Sequence, residues 1–314
     1  MTTTFYAHGK LLLTGEYVVL DGVAALAVPT RPGQRMTVET AGRAEIIHWT
    51  SLDERGECWY EGRFILTPAT VKTTADDRVS ERLAQLLTAV LKLRPDAGKD
   101  LGGKRVTTRL EFDRRWGLGS SSTLVAMLAE WMRVDPYELL AASFGGSGYD
   151  IACAKAGGPI RYHRHEAVRT EKVAQLPDHF RQTCFVYSGQ KQDSRAGIAH
   201  YRERPRSEDL LNRIGELTTT LLTADRQQLM IIVEEHERLL SKYLGLERAQ
   251  DRYFADFPGQ IKSLGAWGGD FYWAVPPPGQ EVVKTTAYFN ERGYGTVLPW
   301  NEMLLSWPTG TPPA

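Results

Sequence analysis

The 314-residue chain predicts an α+β fold in two domains. Three observations give that reading: an N-terminal third patterned as strands, a second half patterned as helices, and glycine-rich stretches where one period gives way to the other. Residues 10–30, KLLLTGEYVVLDGVAALAVPT, are two β-rich runs broken at Gly15-Glu16 and Asp21-Gly22, the pattern of a hairpin. Over 105–112, Val106, Thr108, Leu110 and Phe112 share one face and Arg105, Thr107, Arg109 and Glu111 the other, which is a half-buried strand. Between these runs Val79, Leu83, Leu86, Leu87, Val90 and Leu91 recur at helical spacing.

A second helical stripe, Leu124, Val125, Leu128, Trp131 and Met132, follows a glycine-serine stretch, and Asp135-Pro136 is a start signal for the next helix. AGGPIRYHR returns to strand character, and the basic run after it marks an expected boundary, giving domains 1–165 and 166–314. Beyond it, 207–224 carries Leu210, Leu211, Ile214 and Leu217, and 226–247 carries Leu229, Ile232, Val233, Leu239 and Leu240, two amphipathic helices. LGAWGGD (264–270) precedes the apolar strand FYWAV, 281–298 reads as a closing helix and strand, and the proline-rich stretches 276–278 and 308–313 read as a loop and a frayed tail.

Composition narrows the classes of function. With 42% hydrophobic and 24% charged residues, the chain is able to bury a real core as a soluble protein. Lys plus Arg and Asp plus Glu are 38 each, so no bulk field draws nucleic acid or an anionic membrane, and any bound anion needs a local site. Cys58, Cys153 and Cys184 are odd in number and far apart, which excludes a readable disulfide framework or metal spacing and fits reduced thiols in the cytoplasm. No basic, apolar leader pattern opens the chain and no apolar run reaches the ~18 residues of a spanning helix. The expected partner is a small-molecule substrate, with no nucleic acid and no membrane, for a monomer or homodimer.

Three stretches carry chemistry. WGLGSSSTLVAM (116–127) sets two glycines and three serines at the mouth of a helix. Such a start leaves backbone N–H groups unpaired and carries partial positive charge, so it suits a phosphate, and glycine lets the phosphate approach the backbone. The spacing is not that of a P-loop, and taken alone the stretch reads equally well as a tight turn with Ser120 or Ser121 capping the helix. AHGKLLLTGEYVVLDG places Lys10 at a strand edge and Glu16 beside Gly15; FGGSGYDIACAKAGG places Asp150 after glycines and Ser147. Singly, Lys10 reads as a solvated charge and Asp150 as a turn or cap residue. His163 and His165 alternate as metal ligands do, but no third ligand is near, and Arg161, Arg164 and Arg169 read as a solvated face. Trp267 and Trp273 are expected to pack at a domain junction, with Trp267 also able to wall a pocket.

Together the stretches resemble the ordered signature of the GHMP superfamily of small-molecule kinases. AHGKLLLTGEYVVLDGVAALAV is similar to its first motif, with His8 for Pro and Tyr17 for His; WGLGSSST to its second; GSGYDIACAKAGG to its S-G-x-D segment; and LGAWGGDF to its third glycine motif. The four occur in family order over residues 7–271, and residues 148–152 spell the string of the GYDIA group. The resemblance implies an N-terminal ribosomal S5 domain 2-like domain and a C-terminal ferredoxin-like domain, with ATP and Mg²⁺ as cofactors. It implies that Gly117, Leu118, Gly119, Ser120, Ser121 and Ser122 cradle the ATP phosphates and that Ser121 is a Mg²⁺ ligand. Asp150 would accept the proton of the acceptor hydroxyl beside a charge-stabilising Lys10. Glu16, Tyr17, Ser147, Lys191, Ser194, Trp267 and Gly268 fall on the substrate side.

The implied acceptor is mevalonate or phosphomevalonate, because GEYVVLDG is similar to those branches. The alternatives are a sugar kinase of the superfamily, a diphosphomevalonate decarboxylase-like lyase, and an ATP-binding protein without turnover. The sequence also departs from the family pattern. Asp113, Arg115 and Trp116 surround the second motif where small residues are usual, Trp267 and Asp270 replace glycines in the third, and the register of the family's metal-binding Glu falls on Leu139, beside Glu138.

Overall fold

Strands β1 (Thr2–Thr14) and β2 (Ala25–Thr40) are paired and joined through one 3-10 turn, Val18–Asp21, which is the hairpin expected over 10–30, extended at both ends. The structure, a computed structural model, describes residues 2–164, 167–192 and 194–306 and divides into two compact units. The first comprises residues 1–9, 32–114 and 118–155, and the second 10–31, 115–117 and 156–314, so β1 and β2 each give residues to both. The expected boundary at 165, His165 itself and the tail 308–313 lie outside the described residues.

In the first unit β3 (Ile46–Leu52), β4 (Cys58–Leu66), β5 (Val71–Thr73) and β6 (Lys104–Leu110) complete a sheet in the order β5-β4-β3-β6-β2. β6 lies parallel to β3 and antiparallel to β2, with Val106 opposite Val38. Its alternation is the one read in the sequence: Val106, Thr108 and Leu110 are buried while Arg105 and Arg109 face solvent, and Phe112 is buried just past the strand. The helices are α1 (Arg78–Leu93), α2 (Gly98–Leu101), α3 (Ser120–Met132), α4 (Pro136–Ser143) and α5 (Tyr149–Lys155). α1 starts where Asp77 caps it, accepting from the Val79 and Ser80 N–H groups, and its apolar stripe packs Leu86, Leu87 and Val90 against Ile47, Trp49 and Phe64. α3 adds Val125, Leu128 and Met132 to that core and packs on α5 and α4.

In the second unit the N-terminal end of β2 pairs with β7 (Ile160–Arg164), Ala25 opposite Tyr162, and β7 pairs with β8 (Val168–Lys172). A separate antiparallel sheet follows the order β10-β11-β9-β12, from β9 (Cys184–Tyr187), β10 (Gln260–Leu264), β11 (Phe271–Val275) and β12 (Val297–Pro299). The helices are α6 (Ser194–Arg202), α7 (Glu208–Leu221), α8 (Arg226–Leu244), α9 (Ala249–Tyr253), α10 (Val282–Glu291) and α11 (Trp300–Met303). β11 is FYWAV, buried at all five positions because both faces are covered. Trp273 packs with Phe180, Phe185 and Trp300 and donates its Nε1–H to Thr183, whereas Tyr272 meets Phe254 and Tyr294. Trp273 thus belongs to the core of this unit. α8 is fixed at its start by a reciprocal Asp225–Gln228 capping box and ends at Gly245, φ 69°. Among the described residues no helix is long and apolar enough to cross a membrane.

The α1 packing has a measurable size. Leu87→Ala, at a fully buried site, is expected to lower stability by about 2–5 kcal/mol, and Asp77→Ala by about 1 kcal/mol, in urea unfolding of the full chain.

Candidate active site

The second motif folds as a turn that cannot carry side chains at two points. Gly117 (φ 67°) and Gly119 (φ 90°) are left-handed, and the fully buried Leu118 between them anchors the loop. Gly119 is the N-cap of α3 and no side chain caps the helix, so Ser120 and Ser121 are not cap residues. The Ser122 hydroxyl turns back to the Gly119 carbonyl at 3.0 Å, and Thr123 donates to Gln34 Oε1 at 2.6 Å and to the Ser120 carbonyl. Those two hydroxyls are spent on holding the turn. Ser120 is half-buried and Ser121 exposed, and the first N–H groups of α3 have no partner within the helix. No acidic residue lies in this first turn, so α3 itself supplies no acid to offset the partial positive charge at its start.

Asp150 sits in the first turn of α5, half-buried, its Oδ1 accepting the Ile151 N–H at 3.0 Å. Ser147 is buried just ahead of it. Leu139, in the register of the family's Glu, is fully buried in α4, and Glu138 beside it is exposed. Among the described residues no group of three or more His, Cys, Asp or Glu side chains is arranged to hold a metal.

In the second unit the Lys10 ammonium donates to the Gly117 carbonyl at 3.0 Å. Trp116, which precedes that glycine, packs edge-on against Phe271 at 5.6 Å and tilts against Tyr187 at 6.3 Å, so its bulk is taken up by the β9–β11 aromatic face. The Asp270 carboxylate fills the space beside Gly117: a Cβ on that glycine would stand 2.1 Å from Asp270 Oδ2. Asp270 Oδ1 accepts the Gln192 N–H at 2.9 Å. Burial raises the Asp270 pKa, against the pull of the Gln192 N–H, Lys10 and Lys191. Lys191 is exposed, as is Ser194 at the start of α6.

The first motif turns at Tyr17, a non-glycine residue at φ 64°. The strained position is held from two sides: the Tyr17 ring stacks on Tyr201 at 5.5 Å, and its hydroxyl accepts the Trp267 N–H at 2.7 Å. Burial pushes the Tyr17 hydroxyl up to about 12. Trp267 is half-buried and gives its Nε1–H to the Glu247 carbonyl, and Gly268 beside it is left-handed at φ 90°.

Glu16 does not face solvent. It is 4% exposed, forms a short ion pair with the fully buried Lys262, and lies 3.4 Å from His236 Nε2. That nitrogen accepts the Gly15 N–H at 3.1 Å, and burial with the Lys262 charge keeps His236 neutral. Glu237 completes the group, 3.8 Å from Lys262, with burial raising its carboxyl to about 7 against the pull of Lys262. The sequence marks Asp270 only as a departure from the third glycine motif and Glu16 only as a substrate-side residue, and it does not point to Lys262, His236 or Glu237 as partners of Glu16. His236 and Glu237 do fall on the apolar stripe of α8 that includes Leu229, Val233 and Leu240, and charged residues on such a stripe are a legible signal.

Glu237 gains a proton on folding, since its folded value of about 7 exceeds its ordinary 4.5. Its contribution to stability is therefore full below pH 4.5 and lost as pH rises to about 7. His236, depressed, acts in the opposite sense below its ordinary 6.5, so the test compares the chain with Glu237→Gln. Between pH 4.5 and 7 the stability difference should move in favour of the variant by about 3 kcal/mol, read from urea midpoints, and stay level above.

No family model and no curated protein matches this sequence. Solved structures do match over nearly the whole chain. The Lin0012 protein of Listeria innocua superposes with a TM-score of 0.73 at 18% identity, covering 95% of this chain and 97% of that one. Lactococcus lactis galactokinase, solved with galactose, gives 0.70 at 14%, covering 99% and 95%. Streptococcus pneumoniae phosphomevalonate kinase, solved with phosphomevalonate and AMPPNP, gives 0.68 at 16%, covering 95% and 99%. The neighbours that carry a named activity are GHMP-family small-molecule kinases, and the large mixed sheet with a second, small antiparallel sheet is their architecture. The chain has the two-domain α+β fold of the GHMP kinases.

Proposed function

We propose that this protein is an ATP-dependent phosphotransferase that moves the γ-phosphoryl group of ATP to a hydroxyl or phosphate of a small molecule, with mevalonate or phosphomevalonate as acceptor. The observation that carries the reading is the start of α3: two left-handed glycines, no capping side chain, and unpartnered N–H groups beside an exposed Ser121. That arrangement suits the phosphates of a nucleotide, with residues 117–122 as the cradle. Ser122 contributes through the turn it ties, because its hydroxyl is engaged by Gly119. The phosphomevalonate kinase neighbour was solved with an ATP analogue, which supports ATP as the donor.

Phosphoryl transfer asks little covalent chemistry of the protein beyond positioning, one proton acceptor and charge stabilisation. The Asp150 carboxylate takes the proton of the acceptor hydroxyl as its oxygen bonds to the γ-phosphorus and the bond to the ADP oxygen breaks. Lys10 offsets the charge on the transferred group. Mg²⁺, held by the Ser121 hydroxyl and by the phosphates themselves, would neutralise phosphate charge when bound. The acceptor side comprises Tyr17, Ser147, Lys191, Ser194, Trp267 and Gly268, with Glu16 supporting Tyr17 from within its buried ion pair. In this reading 1–165 is the nucleotide-binding part and 166–314 the ferredoxin-like part.

ADP release measured against mevalonate, phosphomevalonate and a panel of sugars tests the assignment. Stimulation by a mevalonate-type compound is the expected result; stimulation by sugars alone would move the acceptor to the galactokinase side. ATP binding without turnover on any acceptor would overturn the enzyme reading, and release of phosphate with CO₂ would make it a lyase. Asp150→Asn and Lys10→Met should each lower turnover by at least about 100-fold while Asp150→Asn still binds ATP. Near-normal turnover in either would remove that residue from its role.

A further inference from the structure

Asp270 stands where the third glycine motif has a glycine in the family pattern, and its carboxylate does three things at once within the second unit. Oδ1 takes the Gln192 N–H at 2.9 Å. Oδ2 lies 2.1 Å from the Cβ site of Gly117 and 2.8 Å from that of Gly265, so the group is wedged where two glycines leave room for it. The backbone of the same residue donates to the Leu264 carbonyl and accepts from the Ser188 N–H. One side chain therefore ties the turn at 115–117, the loop at 264–270 and the loop at 188–192. It is only 7% exposed, and the cations whose charge reaches it are Lys10 and Lys191. Lys10 in turn hydrogen-bonds the carbonyl of the very glycine against which Asp270 is packed.

To the pull of a carbonyl dipole on an ammonium, a buried carboxylate nearby adds that of a full charge and favours the charged form of the lysine. We propose that Asp270 is a positioning residue that fixes the Gly117 turn and holds the Lys10 ammonium, charged, against it. The role in turnover rests on the phosphotransferase reading; the placement of Lys10 does not. Asp270 acts through Lys10 and the turn and makes no contact with the reacting atoms.

Asp270→Asn keeps the shape and the acceptor for Gln192 while removing the charge. In steady-state ADP formation with the best acceptor, the variant should lose about tenfold or more in kcat with KM for ATP changed less than about threefold. The side-chain titration of Lys10, followed by NMR on the isotopically labelled full chain, should move to lower pH. A wild-type kcat or an unmoved Lys10 titration overturns the proposal. The contact itself is read by a cycle of Gly117→Ala, Asp270→Gly and the double variant in thermal unfolding. Relief of the alanine clash by the glycine should make the pair less destabilised than the sum of the singles, and simple additivity would refute the wedge. If the wild-type chain turns over no acceptor, the functional reading fails, and the titration and the cycle still decide the place of Asp270.

Discussion

The buried ion pair between Glu16 and Lys262 is the constraint around which the second unit is arranged. Two charges taken out of water cost more than their attraction returns unless further polar groups surround them, and removing one partner leaves a charge that the interior cannot solvate. Here the surroundings are His236 and Glu237 from α8 and the Gly15 N–H. The pair fixes the position of the Gly15–Tyr17 turn relative to β10, and β10 runs directly into the glycine loop at 264–270. Two segments far apart in the chain, each rich in glycine, are thereby held by one electrostatic contact whose protonation is part of its geometry.

The same economy recurs at the glycine turns. Where a backbone must bend with positive φ, the chain uses glycine at 117, 119, 265 and 268, and at the one place where it uses tyrosine the ring is stacked and the hydroxyl engaged. Tyr17 thus connects the first motif to the third, through the Trp267 N–H. Trp116, large enough to obstruct a glycine turn, instead lies on the aromatic face formed by Tyr187 and Phe271.

The fold was largely legible because period and punctuation agree: the alternation of β6, the stripes of α1, α7 and α8, and the Asp135-Pro136 start of α4 all stand where the sequence puts them. Full burial of β11 is also written in its unbroken apolar run. The candidate site was legible at the level of motifs and not of partners. Nothing local says that the Glu16 carboxyl turns inward to a lysine 246 residues away or that Asp270 nests against Gly117, because both depend on contacts distant in sequence. The serines show the limit most plainly. Ser120, Ser121 and Ser122 look equivalent as letters, yet helix geometry sends Ser122 inward and leaves Ser121 outermost.

The bare start of α3 makes that helix unfinished by itself. Four of the described helices close their first turn with a side chain, from Asp77, Asp135, Ser207 and Asp225. α3 has only Gly119 in that place and no acid in its first turn. Its leading amides are left for water or for an anion from outside the chain to satisfy, so the last polar partners of this helix are not encoded among its own residues.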